Sequence, residues 1–184
     1  MTRLNGYAVG MAMSGMLAAV VLAGEATTGA SAGWNPAGGT AGANASWNGN
    51  GGQGLARTRT STGDVNFARG LAVGMDEEGM DLSFSHAIAG RVGPAYAGTF
   101  NLSIGRDGDV SGSYGGVVSQ GGIARTAEAG GTTRSTPAGA NATAYARGTA
   151  DPNGRVQAYT RSYHQPRHPR LISSTRYAPR YSRR

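Results

Sequence analysis

The strongest constraint on the fold is the regular alternation of large apolar and small side chains along residues 81–118. Leu82, Phe84 and Ile88 fall on one side of an extended chain, whereas serines and alanines fall on the other. The alternation returns after a turn, with Phe100 and Ile104 on one side. Because a period of two with aromatic and β-branched residues is typical of half-buried strands, this stretch predicts β-structure.

Turn-forming residues divide the rest of the chain at similar intervals. Groups of Gly, Asn, Asp and Pro recur between residues 55 and 161, and no segment there carries a helical stripe. The intervals predict eight strands, near residues 55–60, 64–73, 80–89, 96–105, 109–118, 122–129, 140–149 and 155–161. The predicted fold class is all-β: an antiparallel meander or small roll, or a β-solenoid, of short strands rich in Gly, Ala and Ser.

Two hairpins are predicted from their turns. Residues 100–105 are expected to pair with residues 110–114 across an Arg-Asp-Gly-Asp turn. Residues 140–150 are expected to pair with residues 155–161 across Asp-Pro-Asn-Gly, with Gly154 in the left-handed conformation.

The supply of large apolar side chains is small. Leu, Ile, Val and Phe account for 17 of the 107 residues from 54 to 160, and one side of the strand at 140–150 is Ala and Gly alone. A face of methyl groups gains contact energy only where a flat surface lies very close to it. The composition therefore predicts a thin, closely stacked β-structure rather than a thick two-sheet sandwich.

The N-terminus has the features of an export signal. Residues 8–23 form an apolar run that is short for a membrane span, and Ala30-Ser31-Ala32 suits signal peptidase. We expect a signal peptide over residues 1–32, which makes the protein secreted, periplasmic or displayed at the cell surface. A cut at Gly24-Glu25-Ala26 and an uncleaved N-terminal anchor are the alternatives.

Three further segments follow the predicted signal peptide. Residues 33–54 are uncharged and rich in Gly and Asn, which predicts a flexible, disordered linker. Trp34 and Trp47 in this linker would either stack on sugar rings or pack on the β domain. Residues 55–160 form the predicted β domain, and residues 161–184 a disordered basic tail.

The tail carries all the excess positive charge of the expected mature chain. Residues 33–160 hold nine Arg and nine acids, whereas residues 161–184 hold seven Arg and no acid. Arginines interleaved with tyrosines favour polyanions: an acidic envelope polysaccharide, lipopolysaccharide or extracellular DNA. A solubilising tail without a fixed partner is the alternative. The polyanion-binding candidates are Arg161, Arg167, Arg170, Arg176, Tyr177, Arg180, Tyr181, Arg183 and Arg184.

Few residues are of the types that catalyse reactions or bind metals. The chain has no Cys, so disulfides and thiolate chemistry are excluded. Asp76, Glu78 and Asp81 are weak calcium candidates, with a solvated acidic turn as the alternative. His86 lies in register with Leu82, on the apolar side of its strand, where a lone His is usually a core or edge residue. No nucleotide-binding or nucleophile motif occurs, so no enzyme activity and no cofactor are predicted.

These features favour an exported, non-enzymatic structural or adhesive protein of the cell envelope, with a basic tail that binds anionic surface polymers. One alternative is a self-assembling extracellular fibre subunit, because uncovered strand edges pair between chains. Another is a secreted ligand-binding module or enzyme that uses His86 and the acidic turn.

Overall fold

The computed structural model describes residues 24–151 and 153–166, and in these residues the chain forms ten antiparallel strands and no helix. The strands are β1 (Gly24–Asn35), β2 (Gly38–Asn48), β3 (Gln53–Ser61), β4 (Val65–Asp76), β5 (Gly79–Gly90), β6 (Ala95–Gly105), β7 (Val110–Gln120), β8 (Ala124–Thr136), β9 (Gly139–Asp151) and β10 (Arg155–Gln165).

The strands form two sheets that pack face to face. One sheet has four strands in the order β2-β1-β8-β9, and the other has six in the order β10-β7-β6-β5-β4-β3. Strands β3 to β7 are a simple meander, as predicted, and every pairing of the ten strands is antiparallel, so the described residues do not form a solenoid. Strands β1 and β8, which are far apart in sequence, lie side by side at the centre of the smaller sheet.

The space between the sheets is filled by side chains of methyl and hydroxyl size. Alanines from both sheets make the apolar part of the core, and Val117 is the largest apolar side chain that is fully buried. The core alanines are Ala30, Ala32, Ala68, Ala87, Ala89, Ala95, Ala97, Ala127 and Ala129. Such side chains fill a core only where two backbones approach closely.

Glycines mark the closest approaches between the sheets. Gly131 of β8 lies against the Asn101 side chain of β6, and Gly148 of β9 lies against Ser119 of β7. A Cβ at either glycine would overlap the side chain opposite. The two sheets are therefore held too close for ordinary core residues.

Several polar residues of the core bond to each other, whereas the buried hydroxyls of Ser85 and Ser119 have no partner among the described residues. The Thr28 and Ser83 hydroxyls lie 2.8 Å apart across the sheets, and Ser83 donates to Asn101 Oδ1 at 2.6 Å. Asn101 Nδ2 donates in turn to Ser113 Oγ at 3.2 Å. Because buried polar groups are costly when they lack partners, this network is what makes a Ser- and Asn-containing core stable.

The eight strands predicted for residues 55–161 are confirmed, most with ends shifted by one to four residues, but β8 continues to Thr136, seven residues beyond its predicted end. The hairpin at residues 100–114 is also confirmed, with Phe100 opposite Tyr114 and Ile104 opposite Val110. Its turn is closed by Gly108 N, which donates to Gly105 O at 2.9 Å, and Gly108 has a φ of 82°.

The hairpin predicted at residues 140–161 is wrong. Strand β9 pairs with β8 and β10 pairs with β7, so the Asp-Pro-Asn-Gly connection passes from one sheet to the other. Asn153, with a φ of 60°, takes the left-handed conformation instead of Gly154. The small face of β9 gains its contacts from the six-stranded sheet, where Ser119 and Val117 lie close to Gly148.

The flexible linker predicted for residues 33–54 is replaced mostly by strand. Strand β2 pairs with β1 along eleven positions, and β3 begins at Gln53. Trp47 packs over Gly54 and Gly74. A low apolar content does not prevent order here, because Gly and Ala are the residues that the narrow gap between the sheets admits.

The predicted ends of the mature chain also change. Residues 1–23 of the predicted signal peptide lie outside the described residues, but a cut after Ala32 would remove most of β1, a central strand. At the other end, β10 continues to Gln165, so the predicted tail boundary at 161 is too early. Residues 167–184 lie outside the described residues.

A pair of substitutions tests the small-residue core. Ala97 is fully buried and Phe100 is 41% exposed. Ala97→Leu should lower the free energy of unfolding by about 1–3 kcal/mol through overpacking. Phe100→Ala should lower it by about 1 kcal/mol or less, because it removes only a cross-strand pair at the surface. Urea unfolding measures both, and a larger decrease for Phe100→Ala would contradict this core.

Candidate functional site

The candidate site is the outer face of the six-stranded sheet, which carries the large apolar side chains that the core leaves out. The strand register aligns one residue from each strand in rows across this face. The central row is Arg57, Leu71, Phe84, Phe100, Tyr114 and Arg161. An apolar band thus lies between an arginine on each edge strand.

The next row on one side continues the apolar band, with Leu55, Val73, Leu82, Leu102, Gly112 and Tyr163. Because adjacent rows are about 6–7 Å apart along the strands, the side chains of these two rows touch. The next row on the other side is mixed, with Arg59, Arg69, His86, Gly98, Gly116 and Tyr159. Beyond it, about 13 Å from the central row, lies a third apolar row of Ser61, Phe67, Ile88, Tyr96, Val118 and Gln157.

Aromatic rings cover the glycines of this face. Tyr163 lies over Gly112, and a Cβ on Gly116 would be 3.0 Å from the Tyr159 hydroxyl. A Cβ on Gly98 would be 2.9 Å from Cε1 of His86. Rings that lie over glycines fill the gaps in a sheet and flatten its surface. The result is a smooth face rather than a cleft.

The face is large enough to bind a partner. Six strands spaced about 4.8 Å apart and about 30 Å long present about 700 Å². This is close to the area that each partner buries in a standard interface, about 800 Å². Phe100 is 41% exposed and Tyr159 is 54% exposed. The exposed apolar part of the face is smaller than this area, because the face also carries arginines and glycines and because Leu82 and Phe84 are half-buried.

The charge on this face has one sign. Arg57, Arg59, Arg69, Arg155 and Arg161 occupy its outward positions, mainly on the edge strands. No Asp or Glu occupies an outward position among its described residues. The face therefore has apolar rows and a basic rim on its edge strands, with Arg69 inside the sheet.

His86 belongs to this face and not to the core. Its ring lies 5.6 Å from the Phe84 ring and 5.4 Å from the Tyr96 ring, in tilted contacts. Desolvation by these neighbours lowers the pKa of His86 below its usual value. A neutral imidazole between two aromatic rings is part of the apolar surface.

The outer face of the four-stranded sheet is polar. The Thr126 and Thr149 hydroxyls lie 2.8 Å apart, and Arg147 Nε lies 2.9 Å from Glu128 Oε2. Tyr145 covers Gly29 and Gly130, and its burial, with the nearby Glu128 carboxylate, raises its pKa. The two outer surfaces of the protein thus differ sharply in polarity.

Two of the calcium candidates, Asp76 and Asp81, lie near each other, but the three do not form a metal-binding group. Asp81 is 1% exposed and points into the core, where its Oδ2 accepts from Ser135 Oγ at 2.6 Å. Asp76 Oδ1 accepts from the backbone N–H of Glu78 at 2.9 Å and of Gly79, and so caps the turn that holds Glu78. In the part of the chain that the structure describes, no three acidic or His side chains lie close enough to hold a metal.

Of the polyanion-binding candidates, the structure describes only Arg161. This residue lies on β10, opposite Tyr114 of β7. Arg161 also lines a groove of about 250 Å³ along the seam between β9 and β10, and His164 lines a second groove of about 410 Å³. The other candidates lie outside the described residues: Arg167, Arg170, Arg176, Tyr177, Arg180, Tyr181, Arg183 and Arg184.

The apolar band is visible in the sequence as an alternation, but its position is not. A half-buried strand usually turns its large apolar side chains inward and its charged ones outward. Here the opposite positions on β5 are Asp81 followed by the small, uncharged Ser83, Ser85, Ala87 and Ala89. The run of small uncharged side chains after Asp81 is the indication in the sequence that this side is the buried one.

No protein-family model matches this chain, and no curated protein or solved structure matches it at a significant level. Within the described residues there is no helix long and apolar enough to cross a membrane.

The position of His86 predicts a pH effect on stability. Because its folded pKa lies below its unfolded value of about 6.5, protonation favours the unfolded chain, and stability falls as pH drops below about 6.5. His86→Phe should abolish this contribution. Urea midpoints from pH 7 to pH 5 would measure it, with the exposed His164→Phe as control. An equal pH slope in wild type and His86→Phe would contradict the assignment.

Proposed function

We propose that this protein is an exported, non-enzymatic structural or adhesive component of a cell envelope, and that it attaches to an anionic lipid surface through the outer face of the six-stranded sheet. The observation that carries the proposal is the apolar band between Arg57 and Arg161. Because the core is built from alanines, the large apolar side chains lie on the surface, where they can bind an apolar partner.

Burial of apolar area supplies the attraction. At about 25 cal/mol per Å², covering even a quarter of a face of about 700 Å² contributes about 4 kcal/mol before the entropic cost of association. The exposed rings of Phe100, Tyr114 and Tyr159 are the groups that gain most. Tyr is well suited to a boundary between lipid and water, because one end of its ring is apolar and the other polar.

The basic rim argues for an anionic surface over a second copy of the chain. In a face-to-face dimer, the arginines of both edge strands would meet arginines of the partner, because the described residues of this face offer no carboxylate. Like charges brought together across an interface cost affinity. Lipids with phosphate or carboxylate headgroups, as in lipopolysaccharide, combine an apolar body with the opposite charge.

The arginine-rich tail fits the same surface. Basic residues near an anionic membrane contribute about 1 kcal/mol each, and residues 167–184, beyond β10, hold six arginines. The face and the tail would then act together, with the tail adding electrostatic attraction to a contact that the sheet makes by burial.

A fibre subunit is the second candidate, and the exposed edge strands favour it. Strands β3 and β10 are exposed along their whole lengths, nine and eleven residues. Each nevertheless carries arginines, and charged side chains on an edge oppose strand addition. We therefore rank self-assembly below lipid attachment.

Vesicle binding tests the proposal. The exported protein should co-sediment with vesicles of phosphatidylglycerol and phosphatidylcholine, and about tenfold less with phosphatidylcholine alone. Substituting Phe100, Tyr114 and Tyr159 together by Ser should weaken binding to both. Substituting Arg57, Arg59 and Arg161 together by Gln should weaken binding only to the anionic vesicles. Tyr145→Ser with Thr143→Ser, on the opposite outer face, is the matched control and should bind as wild type.

Three outcomes would overturn the proposal. One is equal binding by the aromatic variant and the control. A second is retention on heparin or DNA with no vesicle binding, which would assign the tail to a polysaccharide or nucleic acid. The third is large assemblies on size exclusion in the absence of lipid, which would favour the fibre subunit.

A further inference from the structure

Two carboxylates converge on the start of β1. The position that a Cβ on Gly24 would take lies 2.8 Å from Asp76 Oδ2, 2.9 Å from Asp81 Oδ2 and 3.0 Å from Ser135 Oγ. These carboxylates therefore come as close to the Gly24 backbone as its lack of a side chain permits. Any other residue at position 24 would push them away.

Both carboxyl groups have a buried oxygen with no partner in the described structure. Asp76 Oδ2 and Asp81 Oδ1 are shielded from solvent and accept no hydrogen bond of good geometry, and Asp81 is 1% exposed. The Asp81 oxygen nearest Gly24 is the other one, Oδ2, which already accepts from Ser135. Burial raises the pKa of Asp81 against the opposing effect of its hydroxyl donors, led by Ser135. The basic residue next in sequence, Arg134, lies on the opposite face of β8 from Ser135.

Unpartnered buried carboxylate oxygens indicate a cation that completes the site. We propose that this cation is the α-ammonium group of a mature chain that begins at Gly24, and that Asp76 and Asp81 bind it. The nitrogen of Gly24 is about 2.5 Å from the position that a Cβ would take, so it lies within about 5.5 Å of both carboxylates. An ammonium group brings a full positive charge and three N–H donors, whereas a peptide nitrogen brings one donor and no charge.

The sequence before Gly24 suits this cut. The apolar run of residues 8–23 ends at Ala23, and Val21 and Ala23 place short side chains three residues and one residue before the bond. Signal peptidase of the exporting cell would hydrolyse the Ala23–Gly24 bond. Water adds its hydroxyl to the Ala23 carbonyl carbon as the C–N bond breaks, and the released amine of Gly24 gains a proton. The inference rests on the proposed export.

This cut also preserves the fold. Strand β1 lies between β2 and β8 and contributes the buried Ala26, Thr28 and Ala30. A chain that begins at Gly24 keeps all of β1, whereas a chain that begins at Gly33 loses nine of its twelve residues. Cleavage and folding would then be linked, because the new N-terminus is bound only in the folded protein.

The first test is the mass of the exported protein. The full precursor, expressed in a bacterium that exports it, should yield a chain whose intact mass and N-terminal sequence begin at Gly24. A start at Gly33 or Thr27, or a chain that retains residues 1–23, would overturn the inference.

The second test asks whether the position of the ammonium group beside the carboxylates stabilises the fold. Inserting Gly-Ser between Ala23 and Gly24 of the precursor leaves two extra residues on the mature chain, which moves the amine away by about 7 Å. The equilibrium constant for folding should fall about tenfold or more, as expected when a charged hydrogen bond is removed. Asp76→Asn should also lower it, while retaining the Oδ1 atom that caps the turn. In the double variant the insertion should have little further effect.

Additive effects of the insertion and Asp76→Asn would mean that the two groups do not interact, and would overturn the inference. A metal ion is the competing occupant, so each chain is also unfolded in calcium and in EDTA. The ammonium predicts no difference, whereas a calcium-raised urea midpoint with no effect of the insertion would assign the site to the metal. Vesicle binding is independent of this result, so a start elsewhere with binding retained would overturn this inference alone.

Discussion

The structure depends on the narrow gap between its two sheets. Where Gly131 meets Asn101 and Gly148 meets Ser119, no space remains for a larger residue. That gap admits Ala, Ser, Thr, Gly and a few Asn, and their polar atoms bond across it, as Thr28 and Ser83 do. Cohesion comes from many close contacts and shared hydrogen bonds, because there are few large apolar groups to bury.

The same gap determines which side chains face solvent. Strands alternate their side chains between two faces, so a strand that turns its small residues inward must turn its large ones outward. In the six-stranded sheet this places Phe84, Phe100 and Tyr114 in one row on the outer face. In the four-stranded sheet the outward positions include Thr126, Glu128 and Arg147. A protein with one largely apolar and one polar outer surface results.

Local patterns in the sequence are enough to predict the strands but not their arrangement. The alternation at residues 81–118 and the spacing of Gly, Asn and Asp locate the strands of residues 55–161, and the poor supply of Leu and Ile indicates close stacking. The pairing of β1 with β8 joins residues as far apart as Gly24 and Ser135, which no local pattern encodes. Residues 24–48 look like a signal peptide and a linker because Gly- and Ala-rich strands have the composition of flexible chain.

Neither the outer face of the six-stranded sheet nor the carboxylates at Gly24 can be predicted from the sequence, for a related reason. Periodicity shows that two faces differ, but it does not say which face is buried, and the usual preference for burying Leu and Phe points the wrong way. Asp76 and Asp81 look like a surface turn because they are near in sequence to Glu77 and Glu78. Only the fold brings them to Gly24, which lies far earlier in the chain.

Strand β5 turns its small side chains inward and its large ones outward. Thiol labelling along β5 is the most direct test of this orientation, and it is possible because the chain has no native cysteine. Single cysteines at positions 82 to 88 would each be treated with a maleimide under native conditions, with the fully unfolded chain as the reference for reactivity. The small-residue core predicts fast labelling at Leu82, Phe84, His86 and Ile88 and protection at Ser83, Ser85 and Ala87. Protection at the even positions with fast labelling at the odd ones would contradict it.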